Sequence, residues 1–213
     1  MPSILINAYA CSPDMGSEPG MAWNWCVNLA KYCELHIITE GEFWKNIEKS
    51  LTPVPSPKDE GSDMLIKDFN EYGLTETQIR NLHFYYNPIG GDDKERCAKI
   101  RKMCWNQGDW RFYKYYKKWQ WKTCEMAKDI CDKQHIDVLH QLNMIGFREP
   151  GYLWKLSKET DIPFVWGPIG GLKQFPMAYA DGGGWKMRGI MWIKNVINIL
   201  QLKYDRRVDK AMK

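Results

Sequence analysis

Five runs of apolar residues recur along the chain, and turn-forming glycine, proline, aspartate or asparagine residues follow them. Short apolar runs with such boundaries are typical of strands buried inside a sheet. They predict strands at residues 3–10, 34–39, 82–87, 137–142 and 162–167.

Between these runs, apolar residues recur near helical spacing. The pattern predicts helices at residues 21–32, 43–51, 92–133, 150–158 and 185–210, the third of them broken near Gly108. Ser17 or Glu18 is placed to cap the first helix, and Pro19 is tolerated in its first turn. Residues 52–63 are rich in proline and poor in apolar side chains, which predicts a surface loop.

The alternation of buried strands with helices predicts an α/β fold. We expect a Rossmann-like, doubly wound parallel sheet with helices on both faces, formed as one domain over residues 1–213. Sheets of this kind bind ligands outside the carboxyl ends of their strands. The loops after the predicted strands are therefore where functional residues are expected.

Composition narrows the class of protein. The 213 residues are 44% hydrophobic and 26% charged, with 11 Trp, 11 Tyr and 7 Phe, which excludes a disordered chain. No apolar run approaches the roughly 20 residues that span a bilayer. The first residues lack a basic segment followed by a long apolar stretch, so no secretory signal is expected.

The seven cysteines are odd in number, and none lies in a Cys-x-x-Cys pair. They predict a reducing, cytoplasmic compartment in which the thiols act as small apolar side chains. The four histidines are scattered, so no metal or other cofactor is expected. The net charge of +4 is too weak by itself to indicate a nucleic-acid partner.

The loop after the first strand contains Gly-Ser-Glu-Pro-Gly at residues 16–20. Amides at a helix N-terminus suit a phosphate or sugar oxygen, and glycine allows close approach to the backbone. The loop matches neither Gly-x-Gly-x-x-Gly nor a P-loop, which excludes those two motifs. A tight turn with a helix cap is the alternative. The candidate binding residues are Gly16, Ser17, Glu18 and Gly20.

Polar residues follow the fourth strand, and a glycine-rich stretch follows the fifth. A histidine, an amide and a guanidinium could bind hydroxyl groups and an anion there, and glycines could bring backbone close to the ligand. The alternatives are a buried histidine, a solvated arginine and a plain turn. The candidates are His140, Asn143 and Arg148 after the fourth strand and Gly167, Gly170 and Gly171 after the fifth.

Together these stretches resemble the amino-terminal half of family 4 glycosyltransferases, which are retaining, nucleotide-sugar-dependent enzymes with the GT-B fold. The resemblance lies in Asn-Ala-Tyr-Ala-Cys-Ser-Pro at residues 7–13 with residues 16–20, in His-Gln at 140–141 with Phe-Arg-Glu-Pro at 147–150, and in Pro-Phe-Val-Trp-Gly-Pro-Ile-Gly-Gly at 163–171. It covers nearly the whole chain.

The resemblance implies transfer of a hexosyl group from a nucleoside-diphosphate sugar to a glycan or lipid-linked acceptor, in cell-surface polysaccharide assembly. It implies that residues 1–213 are the acceptor-side domain, with residues 16–20 reaching toward the donor diphosphate. The carboxy-terminal domain that would hold the nucleotide and carry a Glu-x7-Glu pair is not expected within this chain. The chain alone is therefore expected to be inactive.

The resemblance also implies the chemistry. The leaving diphosphate would accept the acceptor's proton, so the protein would position the substrates and neutralise the phosphate. Amides at Gly16 and Ser17 would supply part of that charge without a metal. Many members carry a histidine two residues after the position of His140, where this chain has Leu142. His140 is therefore the catalytic candidate, at a different depth in the strand.

Residues 99–122 interleave basic with aromatic residues, and three interpretations stay open. A helix hairpin would place the aromatic rings inside and the cations in solvent. Base stacking on nucleic acid lacks a recognised accompanying motif, so no nucleic-acid partner is expected. Docking on an anionic membrane at its cytoplasmic face would use Lys114, Lys117, Lys118, Trp119 and Trp121.

Residues 185–194 have a similar basic amphipathic pattern, which favours the membrane interpretation. The alternative to an enzyme is a non-catalytic module with a Rossmann-like core that binds a membrane surface or nucleic acid. Vesicle flotation and single-strand binding would distinguish these alternatives.

Overall fold

The computed structural model describes residues 1–52, 70–106 and 109–213. Its centre is a parallel five-stranded sheet with the strand order β3-β2-β1-β4-β5 and helices on its faces. This is the order of a doubly wound, Rossmann-like sheet, so the predicted α/β fold is confirmed. The strands are β1 (Ser3–Ala8), β2 (Glu34–Glu40), β3 (Leu82–Asn87), β4 (Val138–Asn143) and β5 (Phe164–Trp166).

The helices found in the described ranges lie between these strands and after the last of them. They are α1 (Ser17–Leu29), α2 (Trp44–Leu51), α3 (Glu76–Arg80), α4 (Lys94–Trp105), α5 (Phe112–Cys131), α6 (Leu153–Thr160), α7 (Gly184–Tyr204) and α8 (Arg206–Met212). Short 3-10 segments cover Gly41–Phe43 and Met177–Gly183. None of the described helices is long and apolar enough to cross a membrane.

Burial on both faces explains why the central strands β1 and β2 are nearly continuous apolar runs. Adjacent side chains of a strand point to opposite faces, and the fully buried Leu5 and Ile6 of β1 belong to two different core clusters. The cluster of Ile6 includes Trp23 of α1, whereas that of Leu5 includes Ala127 of α5 and Leu153 of α6. Both faces of the sheet therefore carry a core.

The predicted strands are all present, with ends shifted by a few residues at most. The region predicted as helical over residues 92–133 forms α4 and α5, and the predicted break at Gly108 lies outside the described residues. So does all but the first residue of the loop predicted at 52–63. The helix predicted over 185–210 is divided at Asp205, whose side chain accepts a hydrogen bond from the backbone N–H of Arg207 at 2.9 Å and so begins α8.

Helix α3 was not predicted from the apolar periodicity. This short helix begins with a capping box, in which the Thr75 hydroxyl accepts from the backbone N–H of Gln78 and the Gln78 side chain accepts from the backbone N–H of Thr75. Thr-x-x-Gln is itself a sequence signal for a helix start, so the helix could have been predicted from it.

The chain divides into two compact units. The first contains Met1–Met144 and Gly151–Val165, and therefore nearly all of the sheet. The second contains Ile145–Pro150 and Trp166–Lys213, and therefore α7, α8 and the segments that follow β4 and β5.

Candidate functional site

The carboxyl ends of β1, β2, β3 and β4 face one edge of the sheet in the first unit, because these strands run parallel. Open α/β sheets bind their ligands at this edge. The segments that leave it include the loop before α1 and the turn at Gly41–Phe43. They are the starting point for locating a site.

The loop between β1 and α1 leaves the start of the helix open. Gly16 is the N-cap residue of α1, and its cap has no side-chain hydrogen bond, so the predicted capping by Ser17 or Glu18 is wrong. Gly16 is exposed, and within the described structure no heavy atom beyond its chain neighbours lies within 4 Å of a Cβ built on it. The first-turn amides of α1 therefore have no side-chain cap, and the backbone before them is accessible.

Ser17 and Gly20 have different backbone constraints from Gly16. Ser17 is exposed and has a left-handed φ of 58°, whereas Gly20 is buried in the first turn of α1. A Cβ on Gly20 would lie 1.9 Å from the carbonyl oxygen of Met15. Side-chain atoms cannot fit there, so Gly20 is required for packing of the loop, and its ligand contact stays a prediction. Glu18 is half-buried beside them.

Asn143 joins the end of β4 to the loop after β1. Its Oδ1 accepts from the backbone N–H of Ala10 at 3.3 Å, and its Nδ2 donates to the carbonyl oxygen of Ala10 at 2.7 Å. Asn143 is fully buried. Its amide is therefore engaged within the protein, which corrects its prediction as a substrate-binding residue.

A buried polar network continues behind Asn143. Asn7 of β1 donates from Nδ2 to Gln120 at 2.6 Å and to Gln141 at 2.8 Å, and Gln141 donates to the carbonyl oxygen of Asn143 at 2.9 Å. The Tyr116 hydroxyl accepts from the Gln120 amide at 2.5 Å and from the backbone N–H of Met144 at 3.1 Å. The network fixes the carboxyl ends of β1 and β4 against α5, because unsatisfied polar groups are costly in a core.

His140 lies inside β4, three residues before the strand ends at Asn143. It is 6% exposed, and its ring centroid is 5.8 Å from that of Trp25 on α1. Leu142 is 1% exposed and belongs to the same core cluster as Trp23 of α1. The position that carries a histidine in the resembled family is therefore a core position here. The catalytic assignment of His140 stays a prediction, and its ring is buried in contact with Trp25.

A groove that the sequence analysis missed opens at the carboxyl ends of β2 and β3. It has a volume of about 900 Å³. The exposed indole of Trp44 and cationic and carboxylate side chains line it, which is a combination that suits sugar rings and hydroxyl groups. Its lining residues are Gly41, Glu42, Trp44, Lys45, Tyr86, Pro88, Gly91, Asp92, Lys94, Cys97 and Arg101.

An ion-pair cluster forms the floor of this groove. The side chain of Glu40, fully buried, accepts from the backbone N–H of Glu42 at 2.7 Å, from that of Ile89 at 3.0 Å and from the Arg101 guanidinium at 3.2 Å. Glu42 also lies 3.3 Å from Arg101. Burial and the neighbouring Glu40 raise the pKa of the Glu42 carboxyl, and Arg101 only partly opposes this. Glu-Gly-Glu directly after a strand was the signal for this cluster.

The second unit brings together the segments after β4 and β5. The backbone N–H of Gly170 donates to Ile145 at 2.6 Å, and the backbone N–H of Phe147 donates to Gly170 at 3.1 Å. Gly171 has a φ of 80°, and a Cβ on it would lie 3.3 Å from the ring of Phe147. Gly170 joins the two segments through its backbone, and ligand contacts of Gly167, Gly170 and Gly171 stay predictions.

Arg148 is exposed in the same unit, and its guanidinium stacks on the Phe147 ring at 4.5 Å. It donates to Asn198 at 2.6 Å and to Gln201, both of which lie on α7. Its partners are neutral amides, so these contacts do not neutralise its charge. Anion binding by Arg148 stays a prediction.

The basic and aromatic stretch contains both buried and exposed aromatic rings, since Trp105, Trp110 and Trp121 are exposed, so the helix-hairpin interpretation holds only in part. Trp119 of α5 is 2% exposed, and its Nε1 donates to the carbonyl oxygen of Asn87 at 2.5 Å. Its prediction as a membrane contact is therefore wrong, because the indole is enclosed in the core. Lys114, Lys117 and Lys118 are exposed, as is Trp121, so the outer face of α5 is mainly cationic with few aromatic rings.

Throughout residues 1–52, 70–106 and 109–213, no three His, Cys, Asp or Glu side chains group so that they could hold a metal ion. No protein-family model, curated protein or solved structure matches the chain.

Proposed function

We propose that the chain is the acceptor-side domain of a retaining glycosyltransferase of the GT-B type. In this proposal it takes part in hexosyl transfer from a nucleoside-diphosphate sugar to a glycan or lipid-linked acceptor, at the cytoplasmic face of the cell membrane. Cell-surface polysaccharide assembly is the process that the sequence resemblance favours. The donor nucleotide would be held largely by a second α/β domain.

The loop between β1 and α1 carries the proposal. Gly16 is exposed and has free space beside it, and the start of α1 lacks a side-chain cap. A helix N-terminus with accessible amides favours an anion, and a diphosphate is the anion that the reaction releases. Gly20 packs against the backbone of Met15 and fixes the shape of the loop. One glycine thus shapes the loop while the other leaves it open.

The groove at the ends of β2 and β3 supports an acceptor role. Trp44 is 48% exposed and offers an aromatic surface for the apolar face of a sugar ring. Glu42 and Lys45 line the same groove and can hydrogen bond to sugar hydroxyl groups. We therefore place the glycan part of the acceptor in this groove.

His140 is a positioning residue in this proposal. Its ring lies beside Trp25, which is itself 43% exposed on α1. Loss of the imidazole would change the packing of Trp25 on α1. It would not remove a group that touches the reacting atoms. The transfer itself would rely on the leaving diphosphate as the base, with the α1 amides neutralising its charge.

The test is amide chemical-shift mapping by NMR on the isotope-labelled 213-residue chain. UDP-glucose, GDP-mannose and UDP alone are the donor probes, and maltose and cellobiose are the glycan probes. We expect the nucleotides to shift the amides of Gly16 and Ser17, and a glycan to shift the Trp44 indole. Affinity should be weak, because half of the expected cleft belongs to another domain.

The Gly16→Val variant should lose the nucleotide shifts while its thermal unfolding stays unchanged, since valine has space there. Gly182→Val is the matched control, because Gly182 is also exposed and also has free space around it. Unchanged nucleotide binding by Gly16→Val would contradict the proposed diphosphate site. Sugar transfer by the purified chain alone would contradict the need for a second domain.

A further inference from the structure

Helix α7 turns its polar face toward the rest of the second unit. Asn195 accepts from the backbone N–H of Phe175 at 2.8 Å and donates to its carbonyl oxygen at 2.9 Å. Asn198 donates to the carbonyl oxygen of Gly171 at 2.9 Å, and Gln201 accepts from Arg148. The three amides follow one another at intervals of three residues and so share one side of the helix.

The other side of α7 is apolar and exposed. Its residues are spaced alternately three and four positions apart, so they form a stripe along the helix, and about half of each side chain or more is in contact with solvent. None of the 21 residues of α7 is buried. The stripe consists of Ile190, Ile193, Ile197, Leu200 and Tyr204.

Two tryptophans and a further isoleucine, spaced seven residues apart, form a second exposed apolar row about a third of the way around the helix from the stripe. Trp185 is 79% exposed and Trp192 is 61% exposed, and Ile199 lies close to Trp192 on the helix surface. We call the stripe together with these three residues the outer face of α7. A helix at the surface of a globular protein normally places its apolar residues inward and its amides outward. In α7 three amides face inward while most of the large apolar side chains are exposed, so its outer face is suited to contact with another apolar phase.

The charges of α7 restrict what that phase can be. Its 21 residues include Lys186, Arg188, Lys194 and Lys203 and no acidic residue. Among the ion pairs of the described residues, Arg188 pairs with Asp181 at 2.7 Å, and the three lysines have no acidic partner. A partner that offers an apolar layer for the outer face and negative charges for the lysines would complement this helix.

A second copy of the chain fits these features poorly. If two copies paired through the stripe, Lys194 and Lys203 would flank the contact in both helices, with no acidic residue of α7 to oppose them. A narrow seam of that kind would also leave Trp185 and Trp192 in solvent. A bilayer with anionic headgroups would cover the tryptophans as well and would attract the lysines.

We infer that α7 lies in the plane of an anionic bilayer surface, with its outer face in the headgroup and acyl boundary. The lysines extend to the lipid headgroups, and Asn195, Asn198 and Gln201 hold the helix to the second unit. This assignment is independent of the proposed glycosyltransferase function. It also differs from membrane docking by α5, because Trp119 of that helix is buried.

Flotation of the full chain with vesicles tests the inference. The vesicles are pure phosphatidylcholine or an equimolar mixture with phosphatidylglycerol. We expect binding to the mixed vesicles that weakens as salt is added. Each lysine near such a surface contributes about fivefold to the partition coefficient, so Lys194→Glu with Lys203→Glu should lower it at least about 25-fold. Ile193→Ser with Ile197→Ser should lower it by about 100-fold or more.

The matched control is Lys117→Glu with Lys118→Glu, which makes the same change of charge on the exposed face of α5. This variant should keep most of the binding, and circular dichroism should show that all three variants are folded. An equal loss in the α5 variant would overturn the assignment to α7. So would equal binding to neutral vesicles, no binding to mixed vesicles, or a dimer in solution that Ile193→Ser with Ile197→Ser dissociates.

Discussion

The side-chain amide of Asn143 pairs with both backbone groups of Ala10, accepting from its N–H at 3.3 Å and donating to its carbonyl oxygen at 2.7 Å. Asn143 is the last residue of β4, and Ala10 lies just beyond the end of β1. The pairing of β1 with β4 becomes irregular between Asn7 and Ala8. Beyond that point the Asn143 side chain makes the hydrogen bonds to Ala10 that a strand backbone would otherwise make. This contact keeps the loop after β1 in a fixed position at the edge of the sheet.

Replacement of Asn143 by alanine should be strongly destabilising. It leaves the N–H and the carbonyl of Ala10 without these partners in a site that water does not reach, and each such group costs about 1–3 kcal/mol. We expect the free energy of unfolding in urea to fall by about 2–4 kcal/mol. Asn24→Ala, on the exposed side of α1, should change it by less than about 0.5 kcal/mol. Equal effects of the two variants would refute the stabilising role of the hydrogen bonds between Asn143 and Ala10.

The two glycines of the β1–α1 loop should respond differently to alanine. Gly20→Ala would place a Cβ 1.9 Å from the backbone oxygen of Met15, which cannot move without shifting the loop. We expect a loss of about 1–3 kcal/mol, typical of overpacking, in urea denaturation. Gly16 has a φ of −82° and open space, so Gly16→Ala should leave stability nearly unchanged. A Gly20→Ala protein as stable as the parent would contradict the packing described for this loop.

The sheet could be predicted from the sequence because its central strands β1, β2 and β4 are buried on both faces, and the partly buried edge strands still appear as short apolar or aromatic runs. Helix ends were less predictable. A regular apolar pattern continues past Tyr204, and only the side chain of Asp205 divides α7 from α8. The missed helix α3 is short, so its capping box rather than any periodicity marks it.

The candidate site could be predicted only in part, because sequence shows which residues follow a strand but not what their side chains contact. Gly16 is exposed and its ligand contact stays a prediction, whereas Asn143 and Gly20 are held by contacts within the protein. The groove was missed because Glu42 and Arg101 are far apart in the sequence and meet only through the sheet. The inward amides of α7 were likewise not predicted, because a basic amphipathic pattern does not show which side of the helix contacts the rest of the protein.

Two tryptophans that are close neighbours on α5 should differ sharply in their contribution to stability. Trp119 is 2% exposed and stacks on Tyr116 at 6.0 Å, so Trp119→Ala should cost about 3–5 kcal/mol. Trp121 is 49% exposed, so Trp121→Ala should cost less than about 1 kcal/mol. Chemical denaturation of both variants measures the difference. A small effect of Trp119→Ala would mean that this indole is not part of the core.

Glu42 should make stability depend on pH in the direction opposite to that of an ordinary ion-paired carboxylate. Burial and Glu40 raise the pKa of its carboxyl, so the folded protein binds this proton more tightly than the unfolded chain does. The ionised form therefore lowers stability above the folded pKa, and this penalty disappears as the pH falls below the unfolded pKa of about 4.3.

Glu42→Gln keeps the size of the side chain and removes its charge, while Arg101 keeps its pairing with Glu40. We expect the variant to unfold at a higher temperature than the parent near neutral pH, and the two melting temperatures to converge as the solution is acidified. Calorimetry over that pH range measures the difference, and Glu71→Gln, at an exposed position, is the control. A variant less stable than the parent at neutral pH would show that the Arg101 pair outweighs burial and the repulsion from Glu40, because only that attraction favours the ionised carboxyl.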